Sequence, residues 1–259
     1  MIGYVRLGRL FLHLATGLLK SFVYPNLGKI QQKRMAAKWA QQFLCILHVN
    51  LCVRGAVPSD NQAVGLLAAN HTSWLDILVM LAVLPVRFVA KDEIRGWPLV
   101  GGLCERAGTL FIHREKRSDA LRVNRQIFDL LQSRRYVAVF PEGMTGDGSV
   151  LHHFHASLLQ PVISTQTRLY PVAIRYSLAD DGVSRHTAYV NISIFQSLLQ
   201  ILRQPRTQAE LIFCEPITCH NLNRRELARL AEQAIARVLA VEIRHMEPEK
   251  PCGLPGALR

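Results

Sequence analysis

Apolar residues recur at helical spacing from Ile2 to Tyr24, where Leu7, Leu10, Phe11, Leu14 and Leu18 follow i, i+3, i+4, i+7. At about 100° per residue, Arg6, Arg9, His13, Thr16 and Lys20 share a stripe roughly 80° wide, and the rest of the wheel is greasy. Pro25 stops this helix. A second helical stretch runs from Gly28 to His48, with Met35, Trp39, Phe43, Leu44 and Leu47 on its apolar side and Lys29, Lys33, Arg34 and Lys38 near its start. From residue 49 the pattern changes to short apolar runs alternating with amphipathic helices. Strands are predicted at Val49–Arg54, Val64–Ala69, Val86–Ala90, Thr109–His113, Tyr136–Phe140, Arg168–Arg175, Ala188–Ile194 and Glu210–Glu215. Helices are predicted at Asp76–Leu84, Ser118–Gln132, Phe195–Arg203 and Arg224–Arg244. This alternation implies an α/β fold with a mixed, largely parallel sheet flanked by helices and preceded by a basic two-helix motif. The expected division is a membrane-associating hairpin over 1–48, an α/β domain over 49–245 and a flexible tail over 246–259.

Composition sharpens this picture. Of 259 residues, 49% are hydrophobic and 19% charged, which excludes disorder for most of the chain. The net charge of +12 is lopsided, because residues 1–59 hold eight Lys or Arg and no Asp or Glu. Basic charge on greasy helices suits an anionic membrane surface. It does not suit nucleic acid, since neither stacking aromatics nor a recognition motif accompanies it. A cleaved signal peptide is disfavoured because Arg6, Arg9 and Lys20 interrupt the apolar region, although a tilted spanning helix and two core-packing helices remain open. The six cysteines are scattered with no CxxC, as expected of buried, reduced thiols.

Candidate chemistry collects beyond the ends of two predicted strands. One loop reads Asn70-His71-Thr72-Ser73-Trp74-Leu75-Asp76. On one helix His71 and Asp76 would diverge by about 140°. If the chain turns between them, the carboxylate can hold one imidazole nitrogen and leave the other free to take a proton from a hydroxyl. Ser73-x-x-Asp76 equally reads as a helix capping box. The second loop reads Phe140-Pro141-Glu142-Gly143, with a turn at Gly146-Asp147-Gly148. Arg114, closing a short apolar strand, suits an anionic group or the solvent. His152-His153-x-His155 lacks the Cys or carboxylate partners of a zinc site, so no metal is expected.

Together these segments resemble the glycerolipid acyltransferase superfamily, the lysophosphatidic acid acyltransferases and their bacterial branch acting on lyso-ornithine lipid. Asn70-His71-Thr72-Ser73-Trp74-Leu75-Asp76 matches that family's NHx4D box. Phe111-Ile112-His113-Arg114, Phe140-Pro141-Glu142-Gly143 and Tyr170-Pro171-Val172-Ala173-Ile174 resemble its later blocks, in order. The resemblance implies His71 and Asp76 as the catalytic pair, and Asn70, Arg114, Glu142, Gly143 and His155 around the acceptor. It implies transfer of a fatty acyl group from acyl-CoA or acyl carrier protein to the hydroxyl of a lysolipid, 1-acyl-sn-glycerol-3-phosphate or alternatively lyso-ornithine lipid, without a cofactor. It also implies a peripheral or monotopic place on the cytoplasmic face of the inner membrane.

Two positions depart from the family pattern. After Gly143 comes Met144-Thr145 where an arginine is usual, and Phe154-His155-Ala156-Ser157 replaces a lysine-bearing stretch. Permanent cations suit a phosphate headgroup, so these changes bring lyso-ornithine lipid forward as the alternative acceptor. A non-catalytic scaffold would make His71 dispensable. An esterase has no G-x-S-x-G elbow to seat its serine.

Overall fold

The computed structural model describes residues 2–59, 64–113, 116–178 and 184–244. Helix α1 (Ile2–Val23) turns at Tyr24–Asn26 into α2 (Lys29–Ile46). The α/β part follows as β1 (Val49–Arg54), β2 (Gly65–Ala69), α3 (Leu75–Val83), β3 (Arg87–Lys91), α4 (Val100–Arg106), β4 (Leu110–Ile112), α5 (Arg117–Gln132) and β5 (Val137–Val139). It continues with β6 (Val150–His152), α6 (Gln160–Thr165), β7 (Arg168–Leu178), α7 (Ile194–Arg203), β8 (Thr207–Phe213), β9 (Ile217–Thr218), α8 (Arg224–Leu239) and β10 (Glu242–Arg244).

The main sheet has the order β1-β8-β7-β2-β5-β3-β4 with β9 on β7, and only the β7–β8 and β7–β9 pairings are antiparallel. The central strand β2 is buried along its length, as is β5. Strands covered on both faces read as continuous apolar runs, which is why Gly65-Leu66-Leu67-Ala68-Ala69 shows no alternation. Leu66 pairs with Val137 and with Leu169, so β2 is flanked by β5 and β7 and their carboxyl ends open on the same edge.

Two predicted elements end differently. The last helix stops at Leu239 rather than Arg244, because Ala240 takes a left-handed conformation (φ 55°) and releases Glu242–Arg244 to pair in parallel with β6. Ala188–Ile194 is not a strand. It runs as turns and bends, with Asn191 at φ 53°, until Ser193 caps α7 by accepting from the Gln196 N–H. Its apolar residues lack a common buried face, since Val190 and Ile194 are both exposed.

The amino-terminal hairpin packs onto the α/β layer. Leu10, Ala40, Phe43, Leu44 and Leu47 belong to the common core. Part of the polar stripe of α1, expected to face lipid headgroups, turns inward instead, with Arg6 buried and His13 half-buried while Arg9 and Lys20 stay exposed. Arg6 is 7% exposed, donating through Nη1 to the carbonyls of Leu202 (3.3 Å) and Gln204 (2.9 Å), while its Nη2 meets His48 Nδ1 at 2.7 Å. His13 stacks on Trp39, and that indole covers Gly17 so closely that a Cβ there would sit 2.5 Å from its Nε1. Tyr4, Val5, Phe11, Leu12, Leu19 and Phe22 therefore face outward, each more than half exposed. No helix among the described residues is long and apolar enough to cross a membrane. The cysteines are free, but only Cys219 is buried and Cys45 is exposed, which corrects the expectation of buried thiols; Cys252 lies outside the described residues.

Candidate active site

The chain leaving β2 makes a tight turn before α3, and Asp76 in the first turn of that helix organises it. Asp76 Oδ2 accepts from the Thr72 N–H (2.8 Å) and the Ser73 N–H (3.0 Å) and lies 2.8 Å from His71 Nδ1. Facing a carboxylate, Nδ1 carries the imidazole hydrogen, which leaves Nε2 with a free lone pair. The other carboxylate oxygen accepts a hydrogen bond from Tyr176 on β7 (2.7 Å). Asp76 and Ser73 are fully buried, whereas the His71 side chain retains 18% exposure. A buried carboxylate needs partners to remain ionised, and four donors converge on this one. Asp76 thus makes the backward reach of a capping-box acid and holds His71 with the same oxygen.

Neighbouring elements fix the imidazole further. Its ring stacks on Phe140 at the end of β5, with centroids 4.0 Å apart and planes 15° from parallel. The His71 carbonyl accepts from the Gly146 N–H (2.8 Å). Tyr189 N–H donates to the Thr72 carbonyl (2.9 Å), and the Thr145 hydroxyl donates to the Tyr189 carbonyl, so the 184–193 segment is tied down beside the turn.

Glu142 joins two loops. Its Oε1 accepts from the His71 N–H (2.6 Å) and its Oε2 from the His152 N–H (2.9 Å), and the residue is 5% exposed. Burial pushes the carboxyl up to about 7, against the pull of the His152 and His71 N–H groups, with Asp76 and Glu232 adding to the rise. Both oxygens hold main chain, so Glu142 ties the His71 turn to the His152 strand. Gly143 sits at φ 78° in a turn closed by its N–H on the Phe140 carbonyl (3.1 Å), a conformation costly for any residue with a Cβ.

Asn70 is likewise a brace. Its Nδ2 donates to the Ile174 carbonyl (2.9 Å) and its Oδ1 accepts from the Ile174 N–H (2.7 Å), so the amide extends the pairing of β2 with β7 by one side-chain rung. His155 is on the exterior, beside His153 at 6.0 Å between ring centroids, and is not among the residues lining the cleft. His153 Nδ1 in turn lies 3.0 Å from Glu232. Arg114 falls outside the described residues. The residue before it, His113, is anchored between Asp92 (3.1 Å) and Asp119 (3.2 Å), and Arg122 donates to the Phe111 carbonyl (2.7 Å). Sequence reasoning missed Tyr176, which sits between Arg175 and Ser177 just past the predicted strand end and carries no local signal that singles it out.

Asn70, His71, Glu142, Asp147, Arg175 and Tyr176 line a cleft with Leu151 and Val241 on its greasy wall. Arg175 already pairs with Glu210, which also holds Arg54 at 2.7 Å. Among the described residues no three His, Cys, Asp or Glu side chains converge as a metal site would require.

The site is thus an imidazole–carboxylate pair beyond the carboxyl end of β2 in a mixed, largely parallel α/β layer. An acyltransferase family model matches residues 50–175, which includes the His71 turn and the Glu142 loop. The chain is 35% identical over 210 residues to the lyso-ornithine lipid O-acyltransferase of Pseudomonas aeruginosa, covering 80% of this chain and 79% of that one. It is 34% identical over 198 residues to the 1-acyl-sn-glycerol-3-phosphate acyltransferase of Neisseria gonorrhoeae, covering 76% and 77%. The crystal structure of the 1-acyl-sn-glycerophosphate (LPA) acyltransferase PlsC from Thermotoga maritima shares the fold at a TM-score of 0.65 and 20% identity, covering 91% of this chain and 96% of that one. The chain belongs to this acyltransferase family and is an enzyme of the type that acylates lysophosphatidic acid or lyso-ornithine lipid.

Proposed function

We propose that the enzyme moves a fatty acyl group from acyl-CoA or acyl carrier protein to the free hydroxyl of 1-acyl-sn-glycerol-3-phosphate. His71 Nε2 takes the hydroxyl proton, and the oxygen attacks the thioester carbonyl. The carbon–sulfur bond then breaks, and the proton returns to the departing thiolate. Asp76 holds the tautomer and stabilises the imidazolium, a contribution typical of general-base catalysis at about 10²–10⁴-fold. The observation that carries this reading is the 2.8 Å approach of His71 Nδ1 to Asp76 with Nε2 left free beside the cleft. The thioester is itself activated, so the transfer calls for no resident cofactor.

A second acceptor, lyso-ornithine lipid, is favoured by one specific feature. Arg175, the arginine in the described lining of the cleft, is already paired with Glu210, and Asp147 stands nearby as an exposed carboxylate. That balance suits an amino-acid headgroup better than a phosphate. Supplying purified enzyme with one acyl-CoA and each acceptor in turn separates the two. Turnover of neither lysolipid contradicts the proposal.

The outward apolar face of α1 supports a peripheral or monotopic place on the membrane. Tyr4, Phe11, Leu12, Leu19 and Phe22 form an exposed surface that water penalises and a bilayer rewards. On this reading residues 1–48 are the membrane-associating layer, 49–245 carry the chemistry, and the tail proposed for 246–259 falls outside the described residues. The proposed location is the cytoplasmic face of the inner membrane, where the basic amino-terminal half meets anionic lipid.

A further inference from the structure

A second concavity lies across the sheet from the catalytic turn. His71 and Glu142 follow the carboxyl ends of β2 and β5, whereas Arg87 opens β3 and Arg134-Arg135 precede β5 at the other edge. There Tyr24, Gln32, Lys33, Arg87, Arg134 and Arg135 line a small concavity open to solvent. Three arginines, Arg87, Arg134 and Arg135, stand in its described lining.

The arrangement around Gln32 is the informative part. Gln32 is 5% exposed, and its Nε2 donates to the carbonyls of Tyr24 (3.0 Å) and Pro25 (3.4 Å). That fixes the amide with its oxygen toward the arginines. Arg87 Nη2 (3.4 Å) and Arg135 Nη1 (3.2 Å) both donate to this single oxygen. A neutral amide oxygen has lone pairs for two bonds but no charge to offset two guanidiniums. Arg87 also lies over the Tyr24 ring at 5.7 Å, which orients it without neutralising it. Burial disfavours the charge on Arg135, and Arg87 disfavours it further. Each guanidinium has five N–H groups, and the Gln32 oxygen takes one from each.

We propose that Arg87, Arg134 and Arg135 form a binding site for a phosphate group, separate from the catalytic cleft and preorganised by Gln32. Guanidinium forks match phosphate oxygens two at a time, which selects phosphate over a monovalent halide. The phosphate can come from solution or from a phospholipid headgroup. The second source is geometrically open because the turn of the α1–α2 hairpin forms one wall, and Ile30 beside it is 65% exposed.

The test uses the full chain and inorganic phosphate, titrated by calorimetry at fixed ionic strength. Wild type binds saturably. Arg135→Gln weakens binding at least about tenfold, the scale of one lost charge-assisted bond. Gln32→Glu places a carboxylate where the two guanidiniums meet, so it abolishes phosphate binding and raises the melting temperature measured without phosphate. Arg134→Gln, on an exposed side chain, weakens binding without lowering the melting temperature and covers the case in which the buried variants fail to fold. Sedimentation with phosphatidylglycerol and phosphatidylcholine vesicles separates the sources. Variants that lose phosphate affinity and also preference for phosphatidylglycerol identify a lipid headgroup; loss of phosphate affinity alone identifies a soluble phosphate. Absence of phosphate binding by wild type, or equal affinity in wild type, Gln32→Glu and Arg134→Gln, overturns the site.

Discussion

Tyr176 donates a 2.7 Å hydrogen bond to the Asp76 oxygen that His71 does not touch. The phenol is wholly enclosed, and burial followed by the Asp76 charge pushes its own ionisation well above the ordinary range, so it acts as a permanent donor. Tyr176→Phe keeps the ring and removes one of four donors. A hydrogen bond to a charged group contributes about 1.5–3 kcal/mol, so unfolding stability falls by that order. With one donor fewer, the carboxylate holds the imidazolium more strongly, and more alkali is needed to free the base. The acidic limb of the kcat/KM profile is therefore expected to move to higher pH in Tyr176→Phe. An unmoved limb assigns Tyr176 to stability alone.

Glu142 makes a second expectation about pH. Its carboxyl is raised from 4.5 to about 7, so the folded state holds this proton more tightly than the unfolded chain. The stabilisation it confers is full below pH 4.5 and is lost as pH climbs through about 7. The shift corresponds to about 3 kcal/mol. Denaturant unfolding of wild type and Glu142→Gln across this window checks it. The stability of wild type relative to Glu142→Gln declines as pH rises; a constant difference contradicts the burial argument.

Membrane association is expected to reside in the outward face of α1. Replacing Phe11, Leu12 and Leu19 with serine removes exposed apolar surface without touching the inward contacts of Arg6, Leu10 or His13, or the Phe22 ring on which Arg106 rests. Burying these side chains in lipid is worth on the order of 1.5–3 kcal/mol each, so vesicle sedimentation should fall at least a hundredfold while the melting temperature holds. Deleting residues 1–48 outright is a poorer test, because it strips Leu10, Ala40, Phe43, Leu44 and Leu47 from the core. Unchanged sedimentation of the serine variant locates the anchor elsewhere.

What the sequence disclosed and what it withheld divide along the range of the interaction. The central strands follow from continuous apolar runs and most helices from local apolar periodicity, and their alternation along the chain implies the largely parallel sheet. The spacing allowed the His71–Asp76 pair to close through a turn, and the resemblance to the NHx4D box is what singled it out over a plain capping box. The partners that hold the pair come from far along the chain. Asn70 binds Ile174 and Asp76 binds Tyr176 across 104 and 100 positions, and no local pattern encodes such pairings. The orientation of α1 was unreadable for another reason. Its wheel fixes which residues share a face but not which face the domain covers, and Arg6 settles that through carbonyls at the end of α7. The apparent strand at 188–194 failed because alternation without a buried partner face does not make a strand.

The central claim rests on the free nitrogen of His71. The most direct measurement is the acyl-transfer rate of purified His71→Ala beside wild type, with one acyl-CoA and either lysolipid, at matched thermal stability. A fall of at least about 10²-fold in kcat is expected from removing a general base. A variant that folds normally and transfers acyl groups at the wild-type rate contradicts the account.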